Sequence, residues 1–191
     1  FATASVKLIK MASNAEETAS KFKAVFRGIT KESDIVARSF SKNFGIADST
    51  SRELLSSTGD LLTGFGYTSG EALELSYNVN KLASDLASFQ NIEGGTKRAS
   101  ESLTKALLGE TESAKSLGIV IRQGTKGFNE QVKNIMKLTG ATEQQAKTQA
   151  IWLQIQEQSK NAMGDTLATW DSTANRMKRS GEAWKGLQEN M

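Results

Sequence analysis

The stretch TSGEALELSYNVNKLASDLASFQN, residues 68–91, decides the fold of this chain. Thr68 with Glu71 three residues later is a capping box, a signal with which many helices begin. Apolar residues then recur at steps of three and four, the period of one helix face. They form an almost regular heptad seam: Leu75, Val79, Leu82, Leu86 and Phe89. The pattern favours a seam buried in the core of one chain and leaves open a seam between associating copies.

Amphipathic helices are predicted on both sides of this stretch, because the same three- and four-residue spacing continues. The predicted ranges are 2–28, 32–43, 51–62, 96–108, 112–117, 128–138, 143–163 and 165–191. Gly45 and Gly109 stand where two of these helices would end. Thr142 with Gln145 marks a further helix start. The predicted fold class is all-α, with Gly-containing turns between helices that form a bundle or an elongated helical assembly.

One short stretch departs from the helical pattern. Ile119, Val120 and Ile121 form a β-branched run, and Gln123 with Gly124 follows as a turn signal. We expect an extended segment near 119–122, as one arm of a small hairpin. The predicted organisation is therefore an N-terminal helical part over 1–117, an extended connector over 118–127 and long C-terminal helices over 128–191, together one structural unit of a longer protein.

The composition excludes several classes of site. The 191 residues carry a formal net charge of +3, too small an excess to indicate nucleic-acid binding by itself. The sequence has no His and no Cys, which excludes a His-based triad, a thiol nucleophile and a disulfide within it. It also has no Pro, the main helix breaker. No apolar run reaches the roughly 18 residues of a membrane-spanning helix.

Pairs of acidic residues are the candidates for catalysis, but their positions favour helix capping. The pairs are Glu16 with Glu17, Glu71 with Glu74, and Glu110 with Glu112. Negative charge near a helix start offsets the helix dipole. The glycines between residues 59 and 70 lack the Lys and the preceding strand of a phosphate-binding loop. We therefore predict that the chain is not an enzyme and has no catalytic residue, no cofactor, no metal site and no specific nucleic-acid partner.

Several motifs, in a fixed order, resemble the region shared by bacteriophage tail tape measure proteins. EALELS (71–76) and LASDLASFQN (82–91) resemble the most recognisable stretch of that family. The other motifs are ASNAEET (12–18) with Phe22 and Phe26, SL (102–103), ALLGETE (106–112), LGIVI (117–121), and GDT (164–166) with Trp170, Ser172, Ala174, Asn175 and Met177. The resemblance covers roughly residues 12–180. It departs from the family at Ser113 and Ala114, where many relatives have Pro, and at the double glycine Gly94 and Gly95.

The resemblance implies a structural protein of a siphovirus-like tail. Such a protein is part of the tape measure that sets tail length, templates assembly of the tail tube and is released to help DNA delivery into the host. The implied partners are further copies of the chain, three favoured over six, tail tube and tail tip proteins, and tail assembly chaperones. The implied location is the virion, in the tail tube lumen or tail tip, after synthesis in the host cytoplasm.

Two other classes of protein stay open as alternatives. One is a helical wall-degrading module, and the other is a helical effector or binding domain. Because the sequence begins at Phe1, we expect it to be a fragment of a longer chain. Contact with the host membrane would then come from other parts of that chain.

Overall fold

The computed structural model describes the backbone of residues 2–169 and the side chains of residues 13–169. It is 76% helical, which confirms the all-α class, and these residues include no strand. Within them, eight α-helices follow one another, with one 3₁₀ helix among them. The bounds are α1 Ala2–Val25, α2 Thr30–Phe44, α3 Asp48–Gly64, α4 Ser69–Phe89, α5 Gly95–Leu107, the 3₁₀ helix Thr111–Leu117, α6 Lys126–Thr139, α7 Glu143–Gln158 and α8 Asp165–Ala168.

Local capping signals fix where several helices begin and end. The hydroxyl of Thr68 accepts a hydrogen bond from the Glu71 amide at 3.3 Å, and the Glu71 carboxylate accepts from the Thr68 amide at 2.9 Å. Thr142 and Gln145 repeat this box at the start of α7, with distances of 3.3 and 3.0 Å. Gly45 closes α2 with a φ of +63°, which side chains with a Cβ rarely adopt. These starts and this end confirm the predictions.

The helices fold back on one another around α4. This helix contacts α3 and α5 most extensively, and it also contacts α2 and α8. α1 packs on α3, and α5 contacts both the 3₁₀ helix and α7. α6 packs on α7. The described residues therefore form a bundle of helices packed around α4, and they do not form one extended rod.

Buried apolar side chains form three groups. The largest lies between α4, α5, the 3₁₀ helix, α6 and α7. The second joins α1 to α3 through the fully buried rings of Phe22 and Phe26, and a small third group joins α2 to α3. The Phe26 ring lies against Gly59, where an added Cβ would come within 2.6 Å of a ring atom. Gly59 thus permits the close approach of α1 to α3.

The stretch predicted to be extended is neither helical nor paired with a strand. Ile119 and Ile121 are buried whereas Val120 between them is 49% exposed, the alternation of an extended chain. The side chain of Gln158 on α7 takes the place of a partner strand: it accepts from the Val120 amide and donates to the Val120 carbonyl, both at 2.9 Å. The hairpin prediction is wrong for this reason, whereas the division at 118–127 stays a prediction.

The helix predicted over 143–163 is too long, because α7 ends at Gln158. The chain turns after Ser159 so that Ala162, only 3% exposed, enters the core. α8 then covers Asp165–Ala168. The rest of the helix predicted over 165–191, with Trp170 and Trp184, lies outside the described residues.

Candidate functional site

The five seam residues on α4 divide between the core and the surface. Val79, Leu82 and Leu86 are exposed by 4% or less and pack in the largest buried group, with side chains of α5 and α7. Leu75 is partly buried against the same group. Phe89 is 51% exposed. Most of the seam therefore lies in the core of one chain, and only its C-terminal end reaches the surface.

A line of buried polar side chains runs along α4, and the sequence analysis missed it. Ser76, Asn80 and Ser84 stand four residues apart and are each 3% exposed or less. The amino group of Asn80 donates to the carbonyls of Ser76 at 2.8 Å and Leu54 at 3.3 Å. Its oxygen accepts from the hydroxyl of Ser100. The four-residue spacing of these polar residues is the signal from which the line could have been predicted.

Asn80 also links its helix to a pair of threonines. Its amino group lies 3.3 Å from the Thr58 hydroxyl, which lies 3.0 Å from the hydroxyl of Thr104. The network therefore joins α3, α4 and α5. Because an unpaired amide inside a core is costly, sliding one of these helices by a turn would be unfavourable. These polar side chains thus specify the register of the three helices.

Asp85 is a buried carboxylate on α4, with 1% of the residue exposed. Its two oxygens accept from the Gly164 amide at 2.9 Å and the Thr166 amide at 3.2 Å. The ammonium group of Lys81 lies 3.3 Å from the same carboxylate. Buried charges require such partners. Asp85 therefore fixes the start of α8 against α4.

Arg52 forms a second charged cluster, between α1, α2 and α3. Its guanidinium pairs with Asp48 at 2.7 Å and with Asp34, and it lies 5.1 Å from the centroid of the Phe22 ring. Burial alone would lower the pKa of Arg52, but the hydrogen bonds and charges of Asp48 and Asp34 outweigh it and raise that pKa. This cluster joins helices and leaves no free acid or base.

The acidic residues considered for catalysis are all exposed, and they lie on helices or, for Glu110, directly before one. Hydrogen bonds from the backbone and hydroxyl of Thr68 lower the pKa of Glu71, which is occupied with capping. Within the part of the chain that the structure describes, no group of three or more acidic side chains could hold a metal ion.

An open groove of about 520 Å³ lies between the C-terminal end of α1, the end of α3 and the start of α4. It is lined in part by Lys21, Asp60, Arg27 and Tyr67, and the Lys21 ammonium lies 3.5 Å from the Asp60 carboxylate. The Tyr67 hydroxyl donates to the carbonyl of Gln145 at 3.1 Å, and burial raises the pKa of Tyr67. The charges of Lys21 and Asp60 offset each other, and the Tyr67 hydroxyl is engaged in its hydrogen bond to Gln145.

Large exposed apolar side chains are spread over many elements. They include Ile35, Phe89, Leu108, Val120, Leu138, Leu153, Met163 and Leu167. Single exposed apolar residues are normal on soluble domains and do not by themselves mark an interface. Of the helices in the described range, none combines the length and hydropathy that crossing a bilayer requires.

Motifs that are distant in the sequence meet on α4. Asp85, in the motif 82–91, binds the backbone of the motif 164–166. Gln90, from the same motif and directly after the end of α4, donates to the carbonyl of Leu117 at 2.9 Å, within the motif 117–121. The residues that carry the resemblance therefore include contacts that hold the bundle together.

No protein-family model, no curated protein and no solved structure matches this chain. Information on its function therefore comes from the residues and their geometry.

Proposed function

We propose that this chain is a folded helical part of a bacteriophage tail tape measure protein. The observation that carries the proposal is the ordered run of motifs over residues 12–180, together with the direct contacts between three of them. Its clearest part, 71–76 and 82–91, lies almost entirely in the central helix α4. An all-α fold supports the proposal because a tape measure protein is a helical chain.

Within the tape measure, we assign this part to a bundle and not to the ruler itself. A ruler made of continuous helix would advance about 1.5 Å per residue along the tail. Here α5 packs back on α4, and α7 on α6. The residues of these helices therefore do not all advance along one axis. The bundle would act through binding to tail tube and tail tip proteins, assembly chaperones and other copies of the chain, in the virion.

The use of polar side chains inside the bundle supports a structural role. Asn80, Asp85 and Arg52 each join two or more helices through their hydrogen bonds and ion pairs. Polar groups that are fully satisfied in this way give a fold its specificity. Catalytic acids and bases, in contrast, need a free position beside a bound substrate.

The proposal is tested by deleting residues 143–163 in frame from the full-length gene of the phage or prophage that encodes the chain. If the 21 residues were part of an axial helix, the tail would shorten by about 32 Å. The bundle role predicts instead that tails keep their length or fail to assemble, because α7 supplies core residues. Leu82→Asp is the matched control, since it disrupts the same core without changing the chain length.

Tail lengths measured by electron microscopy on many particles separate the outcomes. Shortening by about 32 Å would support the tape measure and contradict the bundle role. Normal tails from which mass spectrometry detects no peptide of this chain would contradict the tape measure proposal itself. We expect that both variants fail to assemble tails. We also expect that peptides of the chain are found in tails purified from the unmutated phage.

A further inference from the structure

We propose that residues 164–169 form a strap that is latched to α4 by Asp85 and opens from the folded body as a unit. The proposal rests on the contacts of the strap and not on the proposed function. Its parts are the latch, the weakness of the remaining attachment and a hinge at Met163 and Gly164.

The latch consists of polar contacts. The Asp85 carboxylate accepts hydrogen bonds from the Gly164 and Thr166 amides at 2.9 and 3.2 Å. One helical turn further along α4, the hydroxyl of Ser88 lies 3.0 Å from that of Thr169. Hydrogen bonds to a charged group are stronger than neutral ones, so Asp85 dominates this attachment.

Apolar burial adds little to the attachment. Leu167 is 54% exposed, and Met163 just before the strap is 44% exposed. Thr166 is 8% exposed, yet its hydroxyl has no hydrogen-bond partner among the described residues, so that docking leaves a polar group desolvated. α8 has four residues, too few for a helix to be stable without support. α8 also touches α2, and Ser88 and Thr169 take part in further interactions. Because the bonds of Asp85 involve a charged group, we assign the largest share of the attachment to the latch.

A hinge lies where the core ends. Ala162 is the last residue of the largest buried group. Gly164 follows with a φ of +85°, and a Cβ added there would meet no atom within 4 Å. A glycine in open space allows the backbone to rotate with little steric resistance. Rotation about the backbone bonds of Gly164 would turn residues 165–169 away and free the Thr166 amide. Rotation at the preceding residue, the 44% exposed Met163, would release the Gly164 amide as well, and the core would stay packed.

Opening would also leave the charge of Asp85 in a favourable environment. Lys81, on the preceding turn of α4, lies 3.3 Å from the carboxylate and is itself half-exposed. Once the strap moves away, water replaces the two amide donors while Lys81 stays near. The open state is therefore not penalised by an isolated buried charge.

Native-state hydrogen exchange of the whole chain, followed by NMR at increasing urea concentrations below the unfolding transition, tests the strap. The Gly164 and Thr166 amides should exchange faster than the α4 and α5 core amides and with a smaller urea dependence, as local opening requires. Asp85→Asn replaces one of the two accepting oxygens by an amino group, which cannot accept a hydrogen bond from a backbone amide. It should speed exchange at both amides by about 10- to 100-fold, the effect of one hydrogen bond to a charged group.

Asp60→Asn is the matched control, because it makes the same change in a carboxylate that is mostly exposed and that pairs with Lys21 on α1 and not with the strap. It should leave the exchange of Gly164 and Thr166 unchanged. Exchange of these two amides with the same free energy and urea slope as the core would overturn the proposal. This comparison in the parent chain decides the matter even if Asp85→Asn fails to fold.

Discussion

Replacing Leu82 by Ala tests whether α4 serves as the core of one chain. Leu82 is 4% exposed and packs in the group shared by α4, α5 and α7. The substitution removes three carbon atoms, which at about 0.8 kcal/mol for each buried CH₂ gives about 2.4 kcal/mol. The remaining cavity adds to this cost, so we expect a loss of about 3–4 kcal/mol in the free energy of unfolding.

Phe89→Ala is the comparison on the same helix, because Phe89 is half-exposed at the end of the seam. A buried Phe→Ala change costs about 3–5 kcal/mol, so the half-exposed ring should cost about 1–2 kcal/mol. The assay is urea unfolding followed by far-ultraviolet circular dichroism at two protein concentrations. A loss below about 0.5 kcal/mol for Leu82→Ala would refute a packed core position. A loss that changed with concentration would place the seam between copies instead.

Three further predictions concern the polar network, the α1–α3 contact and the capping box. Asn80→Ala leaves buried carbonyl and hydroxyl groups unpaired and should cost about 2–4 kcal/mol in urea unfolding, whereas exposed Asn78→Ala should stay within about 0.5 kcal/mol. Gly59→Ala should destabilise by about 1–2 kcal/mol, because its Cβ meets the ring of Phe26, just after α1. Gly127→Ala, in open space on α6, should instead be neutral or slightly stabilising. Hydrogen bonds lower the pKa of Glu71 in the folded chain below its usual 4.5. The stability that the ionised carboxylate adds is therefore fully present above the usual pKa and is lost as the pH falls through the lower pKa of the folded chain. The stability difference between the parent and Glu71→Gln, measured by unfolding across a pH series, should therefore narrow at acidic pH, and a constant difference would contradict this account.

The sequence predicted those parts of the fold that depend on neighbouring residues. Thr68 with Glu71 marks the start of α4 because a capping box is complete within four residues. Gly45 marks an end for the same reason, since the left-handed conformation is a property of one residue. Heptad spacing likewise located the seam on α4, although spacing alone does not say what covers it.

The parts that were missed depend on partners far away in the sequence. The end of α7 is set by Ala162, which enters a core built from other helices. The extended backbone at Val120 is bound by the side chain of Gln158, which lies on α7 far along the chain. Asn80 similarly joins the helices because Leu54, Thr58 and Ser100, on two other helices, lie within hydrogen-bond distance of it. The spacing of residues within one helix contains no information about which residues of distant segments they will contact.

The motif 82–91 contains two kinds of residue, and both contribute to the fold. Leu82 and Leu86 fill the core, whereas Asp85 and Gln90 bind backbone groups of two distant segments. The resemblance to tape measure proteins thus rests in good part on residues that build the bundle. Residues that bind tail partners would have to lie instead on exposed faces, where unfolding experiments detect little. It follows that substitutions on those faces, chosen to leave the free energy of unfolding unchanged, are the ones that should separate a role in tail assembly from the requirement to fold.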